Sequence, residues 1–163
     1  MYSADGPVEM KPVGETEFVN GTAAMSASGR YGPTRLCAGI VGHADLRLGD
    51  GVARVLEAQV AAGDGRFRGI RHSVTWDASD SLAKARTNPP KGQMLDPTWR
   101  AGFARLAPLN LTFEAWLYHP QAPSISHDAA ARPRCAATSH ESDGPPRANY
   151  GATRDTRQAS AIL

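Results

Sequence analysis

Three short stretches constrain this chain most: LCAGIVGHADL at 36–46, RFRGIRHSVTW at 66–76 and LTFEAWLY at 111–118. Each has the length and residue types of a strand. The first is a nearly continuous apolar run, the pattern of strands buried on both faces in parallel sheets. Helical patterns lie before and between them. Parallel neighbours need a crossover, and crossovers are right-handed as a rule. The order α-β-α-β-α-β therefore predicts an α/β fold of about three parallel strands with their helices. A doubly wound sheet and a (β/α) barrel both satisfy it.

The helices have recognisable ends. Thr16 is placed to cap a helix over 17–28, with Phe18, Thr22 and Met25 on its inner face and Val19 and Ala23 beside them. Asp50 is placed to cap Val52–Ala62, whose inner stripe is Val52, Val55, Leu56, Gln59 and Val60, and Gly63 closes it. Asp96 followed by Pro97 is a strong helix start. Trp99, Phe103 and Leu106 then recur at helical spacing until Pro108. The aromatic residues Trp99, Phe103, Phe113 and Trp116 read as core.

Composition narrows the function. A net charge of +2 gives no reason to expect nucleic acid as a partner. No apolar run reaches the roughly 18–20 residues that span a bilayer, so no membrane partner is expected. The N-terminus lacks a basic start and an apolar stretch, so a signal peptide is not expected and the cytoplasm is the default compartment. Cys37 and Cys135 suggest neither a disulfide framework nor a metal-binding CxxC. No GxGxxG, GxxxxGK[ST] or GxSxG occurs where a strand would end.

Parallel α/β folds place their sites at the C-terminal ends of strands. The candidates there are His43 and Asp45, then Arg71 and His72, then His119. Imidazoles and a carboxylate in such positions suit a divalent metal, and an arginine suits a substrate carboxylate. Each also has a plainer reading: Asp45 as a cap, His43 as a strand-end residue. In a regular strand Arg71 and His72 point to opposite sides, so one of them at most faces a site readily.

The stretch GETEFVNGTAAMSASGRYGPTRLCAGIVGHADLRLGDGVARVLEAQVAAGDGRFRGIRHSVTWD, with LDPTWRAGFARLAPLNLTFEAWLYHPQ after it, resembles the amidohydrolase-related hydrolases over about residues 4–121. The resemblance implies a TIM barrel that hydrolyses C–O or C–N bonds in small molecules such as lactones, often with zinc or another divalent metal. It also implies that Arg71 and His72 lie on a fourth strand among substrate-contacting groups, and His119 at the end of a fifth. The family's HxH pair and later LDHVGG-like motif are not in this sequence, so no metal ligand carries over. Residues 1–121 would form a partial barrel, truncated at both ends, and inactive and metal-free by itself. Its open sheet edges would favour self-association. Two other readings stand beside it: a non-catalytic binding protein using the open sheet, and a small stand-alone α/β enzyme.

From Ala122 onward the chain is rich in Ala, Ser, Arg, Pro and Thr, with no helical or strand period. Such a segment buries too little apolar area to offset its ordering entropy. Residues 122–163 are expected to be a disordered tail, either a genuine extension or off-frame translation beyond Gln121.

Overall fold

The computed structural model of the chain describes residues 2–79, 87–121, 135–140 and 160–162. Its elements are α1 (Val13–Ala27), β1 (Ile40–Gly42), α2 (Ala53–Ala62), β2 (Phe67–Ser73), α3 (Pro97–Ala104), β3 (Thr112–Tyr118), β4 (Cys135–His140) and β5 (Ser160–Ile162). The fold is mixed α/β. One sheet runs in chain order, β1-β2-β3-β4-β5. β1, β2, β3 and β4 are parallel in succession, and β5 lies antiparallel to β4.

The strand register divides side chains cleanly between two faces. Ile70 pairs with Phe113 and His72 with Ala115; Arg71 pairs with Glu114 and Ser73 with Trp116. The first set is buried. Ile70, Phe113, Ala115 and Leu117 pack with Val55 and Leu56 of α2 and Trp99 of α3 in one apolar core. Trp99 stacks on Phe103 at 5.3 Å, and both meet Phe113 edge-on. Burial of such side chains contributes on the order of 2 kcal/mol each. The second set faces away from this core.

α3 starts as the sequence predicts. The Asp96 carboxylate accepts a hydrogen bond from the Trp99 N–H at 2.9 Å, and Pro97 occupies the first turn. The helix sits hard against the 3₁₀ turn Leu46–Val52 that follows β1. A Cβ on Gly102 would stand 2.3 Å from the Leu46 carbonyl oxygen, so only glycine permits this approach.

Four expectations need correction. β1 is three residues long, against the eleven of 36–46, because Asp45 caps the turn that begins at Leu46. Asp50 does not cap α2; its carboxylate instead takes two hydrogen bonds from Arg105. α1 turns a different face inward: Thr16, Ala23 and Ser26 are buried, while Phe18 and Met25 are exposed. Polar bonds set that rotation. Thr16 donates to the Gln59 amide oxygen, Asn20 donates to the Ala62 carbonyl at 3.0 Å, and Arg66 donates to Asn20 at 2.8 Å. Finally, Cys135–His140 and Ser160–Ile162 are strands where the sequence suggests an unstructured tail. The rest of 122–163 lies outside the described residues.

Candidate functional site

The face of the sheet turned away from the core carries a cleft of about 590 Å³, lined among others by Val41, His43, Arg71, Ser73 and Trp116. Its sheet residues come from the end of β1, the residue after it and the C-terminal halves of β2 and β3, and Tyr2, Glu15 of α1 and Thr87 complete the lining. Arg71 is the charged centre. Its Nε donates to Glu114 Oε2 at 2.9 Å, and its Nη2 donates to the same oxygen. The guanidinium carbon lies 5.8 Å from the Trp116 ring centroid, within cation–π range. Glu114 and Trp116 thus hold the guanidinium in place. Its Nη1 edge has no protein partner among the described residues.

His43 closes one side of the cleft. Its Nδ1 lies 3.1 Å from the Arg71 carbonyl oxygen, and its own carbonyl accepts from Gln59 Nε2 at 2.9 Å. Gln59 is fully buried and also accepts from Thr16. One buried amide therefore ties α1, α2 and the end of β1 together, and holds the backbone that presents His43.

His72 is not in the cleft. The alternation of β2 turns it to the core side, where it is 1% exposed. Its Nδ1 accepts from the Leu46 N–H at 3.4 Å, and its Nε2 lies 3.9 Å from Asp45 Oδ1. Burial first, and then the nearby His43, push the imidazole down to about 4, against a partial pull from Asp45. It is a neutral structural histidine at pH 7. The expectation that it lines a substrate pocket is corrected accordingly.

Asp45 caps the 3₁₀ turn and pairs with Arg47, whose Nε and Nη2 donate at 2.8 and 2.7 Å. Partial burial alone would raise its carboxyl. The side-chain and backbone hydrogen bonds from Arg47, with the charge of its guanidinium, outweigh that and hold it below the usual range. Asp45 does not line the Arg71 cleft. His119 opens a 3₁₀ turn, His119–Gln121, directly after β3; its side chain lies outside the described residues.

The cleft therefore joins His43 and Arg71 and leaves Asp45 and His72 behind the strand ends. Sequence reasoning missed Trp116 and Glu114. The signal was there in LTFEAWLY: Phe113, Ala115 and Leu117 alternate with Glu114 and Trp116, which places the latter pair on the opposite face.

The described residues do not fit a divalent metal. No group of three or more His, Cys, Asp or Glu side chains is placed to hold one among them. The Asp45 carboxylate is occupied by Arg47, His72 is sealed in the core, and a guanidinium occupies the cleft. Among the described residues, no helix is long and apolar enough to cross a membrane.

No protein-family model matches the chain. An uncharacterized protein of Sinorhizobium fredii (strain NBRC 101917 / NGR234), y4mH, is 34% identical over 110 residues, covering 68% of this chain and 32% of that protein. The chain thus spans about a third of the curated relative it matches. No solved structure matches.

Proposed function

We propose that this chain is the substrate-orienting segment of an amidohydrolase-related barrel, a hydrolase of lactones or similar small molecules. The single observation that carries the reading is the Arg71 cleft. A guanidinium braced by Glu114 and Trp116 stands at the C-terminal ends of parallel strands. The edge that Glu114 leaves unengaged among the described residues suits a carboxylate, which arginine grips through parallel N–H bonds.

Two further features support a barrel rather than a doubly wound sheet. β1 to β4 run parallel in chain order without the reversal that marks a doubly wound fold, and the short β5 departs from this by lying antiparallel to β4. Among the described residues the helix-packed core also lies on one face of the sheet, and the other face is the one a closed barrel would turn inward. A complete barrel takes about 250 residues, which accords with a chain that spans only a third of its longer relative. Zinc or another divalent metal would belong to the complete protein, with ligands from outside the described residues. No catalytic step is assigned to His43 or Arg71. In this reading they bind and orient, and the chain alone does not turn substrate over. The open edges would be where further strands, or a second copy, add.

A panel of lactones and aryl esters, with and without carboxylate groups, tests this. The purified chain should bind the carboxylate-bearing lactones saturably and hydrolyse none above the buffer rate. Turnover by the chain would overturn the passive role. Equal binding with and without the carboxylate would overturn the role of Arg71.

A further inference from the structure

α1 packs on the rest of the chain through one face, where Thr16, Ala23 and Ser26 are buried. The opposite face carries Gly14, Phe18, Gly21 and Met25, spaced as one stripe down a helix. Phe18 is 53% exposed and Met25 is 58% exposed. Barrel helices form an outer ring, so closing the sheet into a barrel would leave this stripe outside. Gly21 is the unusual member. A glycine inside a helix weakens it relative to alanine. A Cβ at 21 would meet nothing within 4 Å. No packing among the described residues therefore calls for a glycine there.

We propose that this stripe binds the same stripe of a second copy of the chain, with the two helices antiparallel. The order of side-chain sizes carries the inference. Read forward it is small, large, small, large; read backward it is large, small, large, small. An antiparallel copy thus sets Phe18 opposite Gly21 of its mate, and Met25 opposite Gly14, and the two-fold axis repeats each pairing. An isologous contact needs this self-complementarity. A parallel copy would instead set Phe18 on Phe18 and Gly21 on Gly21, bulk on bulk beside a gap. A glycine opposite each large side chain lets the helices seat ridge into groove. Charge favours the same orientation. Glu15 and Glu17 are the charged residues of α1, both near its start, and Arg30 is the first charge after its end. Antiparallel copies bring each acidic end toward the other's basic end, whereas parallel copies would put the acidic ends together. One helix face per copy buries less than the roughly 1,200 Å² of a standard interface. The dimer is therefore weak, with a dissociation constant on the order of 0.1 mM.

The test is sedimentation equilibrium of the full chain under reducing conditions, from about 10 μM to about 1 mM, which brackets that constant. A reversible monomer–dimer equilibrium is expected. Gly21→Leu fills the notch and should weaken the dimer about tenfold or more. Its unfolding midpoint should not fall, because the position is open within the chain. Phe18→Ala should weaken the dimer about threefold or more. Combining the two changes should restore it to within about threefold of the original, since the larger side chain at 21 then faces the space vacated at 18. Failure of the double change to restore association would overturn the antiparallel pairing. A chain that stays monomeric throughout would overturn the proposal. So would association that Gly21→Leu leaves unchanged, which would place the contact elsewhere, such as at the open sheet edges.

Discussion

Arg71 and Glu114 stand directly opposite one another in the register of β2 and β3, and pair on the face of the sheet turned away from the core. Cross-strand partners on one face are the units that stabilise a sheet, yet an ion pair this exposed contributes little. The Arg71 side chain is 54% exposed. The pair is thus better placed to hold a guanidinium for a ligand than to hold the fold. Arg71→Ala should lower stability in urea by less than about 1 kcal/mol while weakening carboxylate binding about tenfold or more. Unfolding midpoints and a binding titration on the same samples check both halves.

His72 makes stability depend on pH in a defined window. Its folded value of about 4 lies below the ordinary 6.5, so the unfolded chain takes up a proton that the folded chain refuses. Its full contribution is present above 6.5 and is lost as pH falls toward 4, amounting to roughly 3 kcal/mol. His72→Asn, which keeps an acceptor for the Leu46 N–H, should flatten urea stability across that range. Asp45 acts in a different window. Its carboxyl is held low by Arg47, so its contribution is lost only below the ordinary carboxylate value.

Gln59 bridges Thr16 and His43 inside the fold. Gln59→Leu should cost about 2–4 kcal/mol, because a buried hydroxyl and a carbonyl lose their partner. Adding Thr16→Val should cost less than the sum of the two single changes, since the orphaned hydroxyl is gone. A double-mutant cycle by chemical denaturation measures the difference.

Gly102→Ala should destabilise by about 1–3 kcal/mol, because its methyl group meets the Leu46 backbone, which has no rotamer to yield. Asp96→Ala should cost about 1 kcal/mol through the lost cap. Thermal or urea unfolding of each variant checks the two values.

What the sequence disclosed and what it hid divide along physical lines. The Asp96-Pro97 start of α3 was legible because capping is local chemistry. Strand identity and parallel order were legible because the apolar runs and their spacing admit few topologies. The α1 face was not, because polar contacts to Gln59, Ala62 and Arg66, distant in sequence, turned it against its weak apolar pattern. Asp50 found Arg105 across the fold instead of its own helix. Arg71 and His72 showed the limit most sharply. Alternation alone says that they part company, but only the packing of α2 and α3 on one face says which of them meets the cleft.

The most direct test of the central claim is a calorimetric titration of the chain with a butyrolactone carrying a ring carboxylate, repeated on Arg71→Ala. The original chain should bind saturably and one-to-one, and the variant should bind tenfold or more weakly, a loss of about 1.4 kcal/mol. Binding that survives Arg71→Ala unchanged, or no binding by the original chain, would contradict that claim.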